Sequence, residues 1–485
     1  MARRHSVTAP PPLNPVLNFV PLGLSLVLTG LAFLGPSNLF YKFDWLPWAV
    51  RGLRIDYLLP KIYLTDIFLI FGLILAQFGL VVNSRIQIKP TLKLKKLGWF
   101  WQQFDWWQLS WWLGLGLLLI RQGWTGFPIV AVMSLGRLLA LGWLAQLTQK
   151  FWSQLKHDWI WWGLAVGHIF QSLVAGWQFL TQHSVGSYRW LLGEPSLTQT
   201  YGVVQGNFGR LGELTLPYGT TAHPNILAGW LVGSWLLLFT WWLHQAQTSM
   251  KPLLILSQMA ILSLTGSFTL ILIWATQSWS ALGLLVTGLI WLGGSRWFLA
   301  KRPEPTEQKC WPAKFTNWSL MMLLVILMAS PWWLEKLAQV FNFNPFLQHS
   351  LSWERRIWLN QAAVKLWLKQ PWWGLGLSQF TAQLETVTPP REIVRFVQPV
   401  HQVFWLWLSE TGMMGVLTLV AGWKAALSRR LIHQGAILAW LWIFFPVLIW
   451  DHYLLTLPTG LWLGWWWWVS LNAQWSKNHQ LSTVS

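Results

Sequence analysis

Apolar runs of about 18 or more residues recur along this 485-residue chain. A run of this length can cross the hydrocarbon core of a bilayer as a helix. The composition agrees, because 54% of the residues are hydrophobic and only 10% are charged. A soluble protein would carry about a quarter charged residues. We therefore predict an all-α fold, a polytopic bundle of transmembrane helices.

Hydropathy predicts about twelve spans, arranged in three regions. Region 1–333 holds spans one to nine, with a smaller outer loop near 182–222. A large outer loop containing short helices follows over 334–399, and region 400–485 holds spans ten to twelve and a short cytoplasmic tail. The spans are predicted near 17–35, 62–82, 107–120, 127–148, 159–181, 224–244, 253–274, 280–299, 317–333, 400–422, 435–450 and 453–471.

The formal charge of +19 comes mostly from basic residues in short loops between spans. Cytoplasmic loops of membrane proteins are enriched in Lys and Arg. Placing the loops of Lys93, Lys301 and Arg429 inside puts both termini in the cytoplasm and the two long loops outside. The charge therefore needs no nucleic-acid partner.

His401 follows Pro399 at the predicted outer mouth of span ten. Proline is favoured in a first helical turn, so His401 is predicted near a helix N-terminus, whose partial positive charge disfavours imidazolium. A neutral imidazole can accept a proton from a hydroxyl. The alternative is a histidine that only caps the helix or anchors the interface. Glu410 is about half a turn out of phase with His401, which favours a packing or hydrogen-bonding role.

The large outer loop opens its amphipathic segment with Glu354-Arg355-Arg356. Adjacent guanidinium groups suit phosphate or diphosphate, which they grip in a bidentate fashion. The alternative is a solvated helix face with a Glu–Arg pair. The stretch Pro371-Trp372-Trp373-Gly374-Leu375-Gly376 predicts a helix stop and a tight turn, in which the glycines permit close backbone approach.

The smaller outer loop leads into span six through His223-Pro224-Asn225. His223 precedes a proline, so its backbone is expected to be extended, and Asn225 can cap the helix that follows. Arg210 and Glu213 lie just upstream, where they could meet an anionic group.

Asp451-His452-Tyr453 lies at the outer end between the last two spans. These residues either line the same cavity as the other outer motifs or only polarise a short turn. Four consecutive tryptophans, Trp465 to Trp468, must point all round their helix, so no single site accounts for them.

Several motifs are missing from the sequence, and their absence narrows the chemistry. There is no Walker motif of an ATP-driven pump and no Gly-x-Ser-x-Gly elbow. There is also no Asp-x-Asp motif and no His/Cys/Asp set with metal-ligand spacing. We therefore expect neither a metal nor a cofactor.

Taken in order, the outer motifs resemble those of the O-antigen ligase and polymerase family of membrane glycan transferases. The resemblance covers roughly the second half of the chain. It lies in four stretches: Pro217-Tyr218-Gly219-Thr220 with His223-Pro224-Asn225-Ile226-Leu227-Ala228-Gly229; Glu354-Arg355-Arg356 through Pro371-Trp372-Trp373-Gly374-Leu375-Gly376-Leu377-Ser378-Gln379-Phe380; Pro399-Val400-His401-Gln402 with Glu410-Thr411-Gly412; and Asp451-His452-Tyr453.

The resemblance implies a metal-independent glycosyltransferase in the cell inner (plasma) membrane, with a periplasmic active face. Such enzymes move a glycan from an undecaprenyl-diphosphate carrier to a sugar hydroxyl on a glycolipid or polysaccharide acceptor, as in lipopolysaccharide assembly. It implies that His401 activates the acceptor hydroxyl and that Arg355 or Arg356 holds the diphosphate. Substrate contacts are also expected from Arg210, His223, Asn225, Asp451 and His452. Membrane lipids are expected partners, and nucleic acid is not.

The chain departs from the family pattern at positions where relatives often carry arginine. Leu216 stands immediately before Pro-Tyr-Gly-Thr, and Trp279 follows Ser278. Arg210 is expected to substitute for these arginines. Gln402 replaces the asparagine that usually follows the family histidine.

Two alternatives to a ligase remain open. A polysaccharide polymerase of the same family would use the same chemistry. A transporter, for example of bicarbonate, would instead carry ionisable residues deep inside its spans, lining a path. Asp66 and Arg137 are the main candidates for that role.

Overall fold

The structure is a computed structural model that describes residues 15–43, 56–87, 106–185, 193–197, 203–245, 252–300, 351–387, 397–428 and 434–484. These residues are mostly helical, as predicted. The helices are α1 Pro15–Leu34, α2 Leu64–Gln87, α3 Trp106–Gly123, α4 Pro128–Phe151, α5 His157–Thr181, α6 Pro224–Gln245, α7 Pro252–Thr276, α8 Trp279–Ala300, α9 Leu351–Lys369, α10 Phe380–Gln383, α11 Val403–Ser428, α12 Gln434–Trp450, α13 Tyr453–Thr456 and α14 Pro458–Val484.

Two small antiparallel sheets interrupt the all-helical pattern expected from the sequence. In the first, β1 Phe40–Lys42 pairs with β2 Lys61–Tyr63. In the second, β3 Gln205–Asn207 pairs with β4 Glu213–Thr215 inside the smaller outer loop. Strands of three residues are too short to produce a readable alternation of apolar and polar positions, which explains why the sequence did not predict them.

Predicted span nine, near 317–333, and the start of the large outer loop lie outside the described residues. The loop's amphipathic segment forms one 19-residue helix, α9. At the other end of the chain, α14 continues to Val484, through the residues predicted to form a short tail.

Four of the described helices are long and apolar enough to cross a membrane. They are Pro128–Gln154, Pro224–Leu243, Ser257–Thr276 and Val403–Ser428. Large apolar side chains are exposed on the outside of the bundle, among them Phe71, Ile74 and Ile271. An apolar surface of this kind is typical of a face that contacts lipid.

Helix α6 is the most buried of the four membrane-length helices. Of an 18-residue apolar stretch in α6, 72% is buried inside the bundle, against 33–50% of the corresponding stretches in the other three helices. Helix α14 contributes buried tryptophans to this core, and the indole N–H groups of two of them bond to different helices. Trp467 donates to the Gly233 carbonyl on α6 and Trp465 to the Leu141 carbonyl on α4, both at 3.0 Å. The tryptophan run therefore points in several directions, as its sequence requires.

Helix α11 is interrupted at Gly412, whose φ of 63° and ψ of −167° are not helical. A Cβ at this position would lie 2.4 Å from the carbonyl oxygen of Trp372, so the position requires glycine. The interruption leaves carbonyl groups before Gly412 and N–H groups after it without hydrogen-bond partners in the helix. In an apolar bundle such groups need partners from the protein itself.

Loop 371–376 supplies those partners. Two of its N–H groups donate to carbonyls that end the first half of α11, Leu375 to Ser409 at 3.0 Å and Gly376 to Glu410 at 2.7 Å. Two of its carbonyls accept from N–H groups that begin the second half, Pro371 from Met413 at 2.9 Å and Trp372 from Met414 at 3.0 Å. The loop thus repairs the interruption from both directions.

The last turn of α3 holds the loop from its other side. Arg121 Nη2 donates to the Gly374 carbonyl at 2.9 Å, and Gln122 Oε1 accepts from the Leu377 N–H at 2.8 Å. Gly374 and Gly376 have φ values of 62° and 105°. The predicted tight turn with close backbone approach is confirmed.

Helix α9 packs its apolar face on the first half of α11. Residues at helical spacing form this face: Trp358, Leu359, Ala362, Ala363 and Leu366. They cluster with Trp405, Leu406 and Leu408 of α11, while Lys365 and Lys369 are exposed. The predicted amphipathic helix is confirmed, and its packing brings Arg356 to the start of α11.

We expect Gly412→Ala to destabilise the protein by at least about 2 kcal/mol, because alanine is strained at this φ and its Cβ would collide with Trp372. The thermal unfolding midpoint in detergent measures the effect. Gly136→Ala is the matched control, since a Cβ there meets nothing within 4 Å. That control should be neutral or slightly stabilising. Equal losses of stability in both variants would contradict this account of α11.

Candidate functional site

Three short turns next to helices bring most of the predicted site residues together. His401 lies just before α11, Asp451 and His452 lie between α12 and α13, and His223 directly precedes α6. His401 is therefore close to a helix N-terminus, as predicted. Contacts of Asp451 with Asn225 and His401 join these turns at one end of the bundle.

His401 faces the carboxylate of Asp451. Its Nδ1 lies 3.9 Å from Asp451 Oδ1, a distance that allows electrostatic attraction but is too long for a hydrogen bond. Nδ1 has no hydrogen-bond partner in the described part of the chain. The ring of His401 also lies beside that of His452, with their centroids 5.3 Å apart.

Asp451 is held by hydrogen bonds from two of the turns. Its Oδ1 accepts from the His452 N–H at 3.0 Å, and its Oδ2 accepts from Asn225 Nδ2 at 3.3 Å. Only 5% of the residue is exposed. The carboxylate therefore links the turn before α13 to the start of α6 and fixes the orientation of both oxygens.

His452 has its tautomer fixed by Thr456, one helical turn further on. The Thr456 hydroxyl donates to the His452 carbonyl at 3.2 Å, so its oxygen accepts from His452 Nδ1–H at 2.6 Å. Nε2 is then the nitrogen with the lone pair. Sequence reasoning missed Thr456, although its position four residues after His452 is the spacing at which side chains meet on a helix.

His223, rather than Asn225, caps the start of α6. His223 Nδ1 accepts from the Asn225 N–H at 3.2 Å, and Thr221 Oγ1 donates to the His223 carbonyl at 2.9 Å. The capping role predicted for Asn225 was wrong, because its side-chain amide is bonded to Asp451 instead. Both His223 and Asn225 belong to the cluster.

Burial keeps the three imidazoles neutral at neutral pH. Loss of solvation lowers the pKa of His223 to about 4 and that of His452 to about 3, and it also lowers the pKa of His401. The charge of Arg356 acts in the same direction, while Asp451 opposes it in part. A neutral imidazole has one nitrogen lone pair, so His401 is able to accept a proton.

Asp451 is ionised although it is buried. Burial alone would raise its pKa, but the contact with His401, followed by the neighbouring His452 and His223, holds the pKa well below its usual range. The two hydrogen bonds that the carboxylate accepts also favour its charged form. The cluster thus contains one fixed negative charge.

Arg356 supplies a positive charge beside that carboxylate. It is half-buried on α9, and its Nε has no hydrogen-bond partner among the described residues. Burial lowers the pKa of Arg356 and Asp451 counteracts this, but a guanidinium remains charged in a protein. The neighbouring Arg355 is also half-buried.

The described hydrogen bonds and ion pairs do not link Arg210 to these residues. It occupies the exposed turn between β3 and β4. Leu216 is buried and Trp279 is exposed. The described contacts do not bring Arg210 into the cluster.

Glu410 has a structural role, as its phase relative to His401 predicted. Its Oε1 accepts from the Phe380 N–H at 3.2 Å, and it lines a cavity of about 30 Å³ with Ser134, Ser378 and Thr456. Such a cavity has room for about one water molecule. It is too small for a sugar or a diphosphate.

Asp66 and Arg137, the residues that a transport path would require, pair with each other. Arg137 Nε donates to Asp66 Oδ1 at 2.8 Å and Nη2 to Oδ2 at 2.7 Å. This bidentate geometry satisfies both charges and ties α2 to α4. The pair therefore accounts for these two residues without a path for ions.

The comparisons with known proteins add no relatives. No protein-family model matches the chain, and the search of curated proteins gives no significant match.

We expect Asp451→Ala to destabilise the protein by about 2–3 kcal/mol, because two donors lose their acceptor and Arg356 loses a neighbouring carboxylate. Asp451→Asn retains an oxygen for the His452 N–H and should cost about 1 kcal/mol. Thermal unfolding in detergent measures both. The exposed Glu213→Ala is the control and should stay within about 0.5 kcal/mol. A wild-type midpoint for Asp451→Ala would show that the carboxylate does not hold the turns together.

Proposed function

We propose that the protein is a membrane glycan transferase of the O-antigen ligase type. It moves a glycan from undecaprenyl diphosphate to a sugar hydroxyl of a glycolipid or polysaccharide acceptor. The observation that carries this proposal is the position of His401, whose Nδ1 lies 3.9 Å from Asp451 Oδ1 and whose ring is within electrostatic range of Arg356. A base, a carboxylate beside it and a fixed cation are the groups that such a transfer needs.

His401 acts as the base for the acceptor. The acceptor oxygen attacks the anomeric carbon of the donor sugar as its proton passes to the lone-pair nitrogen of His401. The new C–O bond forms while the bond to the diphosphate breaks, and undecaprenyl diphosphate leaves with the electron pair. Asp451 stabilises the imidazolium that results, because opposite charges attract strongly in a buried site.

Arg356 stabilises the leaving group. Negative charge grows on the diphosphate as its bond to the sugar breaks, and a fixed cation in a partly buried site lowers the energy of that state. Arg355 is next to it in sequence and can add a second guanidinium at the mouth of the site. Arg210, on the exposed hairpin, is the candidate for contacting the more distant part of the donor.

The reaction takes place at the periplasmic face of the inner membrane, where a chain of about twelve spans presents its two long loops. The basic loops near Lys93, Lys301 and Arg429 support this orientation. The site residues adjoin the N-terminal ends of α6 and α11 and the C-terminal end of α12. Helices that cross in alternate directions have these ends on one side, which supports a single active face.

The test is deletion and rescue in the native organism, with surface polysaccharide profiled by gel electrophoresis and mass spectrometry. His401→Ala at matched membrane levels should lower transfer by at least about 100-fold, because the base is lost. His183→Ala is the matched control, since His183 is exposed in the smaller outer loop. Its product should be normal.

Normal product from His401→Ala would overturn the assigned role. An unchanged polysaccharide profile after deletion would overturn the transferase proposal itself. One added unit indicates a ligase and a ladder of products indicates a polymerase of the same chemistry.

Arg356→Ala should also lower transfer by about 100-fold, and Arg356→Lys should recover part of it, because lysine keeps the charge without the bidentate fork. Initial rates with membranes and extracted lipid-linked donor measure the effect. Equal activity of wild type and Arg356→Ala would exclude a role for this cation in the departure of the diphosphate.

A further inference from the structure

Three potential metal ligands converge at the site from separate parts of the sequence. His401, Asp451 and His452 each direct one ligand atom into a space where all three atoms lie within 4.8 Å of one another. Metal-ligand spacing in the sequence did not predict this group, because His401 is far from the other two in the chain.

We propose that His401, Asp451 and His452 form a binding site for a divalent transition-metal ion such as Zn²⁺, and that the bound ion inhibits the protein. The binding site stands on geometry alone. The inhibition rests on the proposed function, because it concerns the imidazole that His401 uses as a base.

The distances suit an ion of this kind. Zinc binds imidazole nitrogen and carboxylate oxygen at about 2.0–2.2 Å in tetrahedral geometry, so two ligand atoms on one ion lie roughly 3.3–3.6 Å apart. His401 Nδ1 and Asp451 Oδ1, at 3.9 Å, are a few tenths of an ångström outside that range. The outer limit of 4.8 Å for the set needs a closure of about 1.2 Å, which rotations of the side chains about χ1 and χ2 provide.

Hydrogen bonds outside the group hold two of the ligands ready. Thr456 fixes His452 as the Nδ1–H tautomer and leaves the Nε2 lone pair available. Asn225 bonds to Asp451 Oδ2 and orients the carboxylate. Metal-binding histidines usually have their second nitrogen bonded in this way, and such partners raise the affinity.

The third ligand atom, His401 Nδ1, has no hydrogen-bond partner in the described ranges, so an ion there displaces no existing bond. Two imidazoles and one carboxylate favour Zn²⁺, Co²⁺, Ni²⁺ or Cu²⁺ over Mg²⁺ and Ca²⁺, which prefer all-oxygen sites. The charge of Asp451 also offsets the repulsion between the ion and Arg356.

Binding of the ion inactivates the base without filling the substrate site. A neutral imidazole has a single nitrogen lone pair. When Nδ1 gives its lone pair to the metal, the proton of the ring is on Nε2, which then cannot accept another from the acceptor hydroxyl. The ion and the proton from the acceptor therefore compete for the same histidine.

The binding test uses the purified full-length protein in detergent, stripped with a chelator and titrated with Co²⁺ alone. We expect visible d–d absorption bands that saturate at one ion per chain. Asp451→Asn and His452→Ala should weaken binding at least about 100-fold, and Thr456→Val about 10-fold. Thr456→Val keeps all three ligands and loses only the bond that orients His452. The exposed His183→Ala is the control and should bind normally.

Absence of one-to-one Co²⁺ binding would overturn the inference, and so would equal affinity in wild type, Asp451→Asn and His452→Ala. Thermal unfolding of each variant, measured in parallel, shows that it is folded before its affinity is compared.

The activity test adds Zn²⁺ to membranes carrying the wild-type protein and then removes it with a chelator. We expect transfer to fall at least about 10-fold and to recover after chelation. Binding without inhibition would overturn the inhibitory role. Binding in a protein that transfers no glycan would overturn the proposed function and leave the metal site standing.

Discussion

Peptide groups inside an apolar bundle must bond to one another, and helix α11 meets this requirement through a loop. The interruption at Gly412 leaves N–H and carbonyl groups that have no partner within the helix, and loop 371–376 bonds to both sets. The last turn of α3 in turn holds the loop through Arg121 and Gln122. Because α9 leads directly into this loop, the same bonds fix where α9 packs. The backbone bonds between loop 371–376 and α11 therefore help to place Arg356 near His401.

The site itself depends on a single buried carboxylate. Asp451 bonds to Asn225 at the start of α6 and to the His452 N–H, and it faces His401 at the start of α11. Burial of a charge is tolerated only when partners of this kind surround it. The neighbouring imidazoles are neutral and the neighbouring guanidinium is charged, so the cluster combines imidazoles that can accept a proton with one pair of opposite charges. The same arrangement that suits base catalysis also resembles a metal site, since a lone pair that accepts a proton can bind a cation.

The sequence predicted the helices well because the signal for a membrane-length helix is local. Apolar runs correctly predicted α4, α6, α7 and α11. The stretch that begins at Pro371 correctly predicted the end of a helix and a close approach of two backbone segments. The hydrogen-bonding role predicted for Glu410 is confirmed. The strands of three residues gave no such signal, and the cap of α6 was assigned to Asn225 because a side chain that can cap a helix can equally bond elsewhere.

By itself, the sequence determined that the chain is mostly helical and that polar motifs border its apolar runs. It also determined that His401 lies next to the start of a helix. The tertiary structure alone decided that Asn225 and Asp451, 226 positions apart, share a hydrogen bond. It also decided that Asp66 and Arg137 neutralise each other and that Arg210 lies in an exposed hairpin turn. The reason is physical. Helix formation depends on bonds between residues four apart and on the apolar character of one stretch, whereas convergence of turns depends on how separate helices pack.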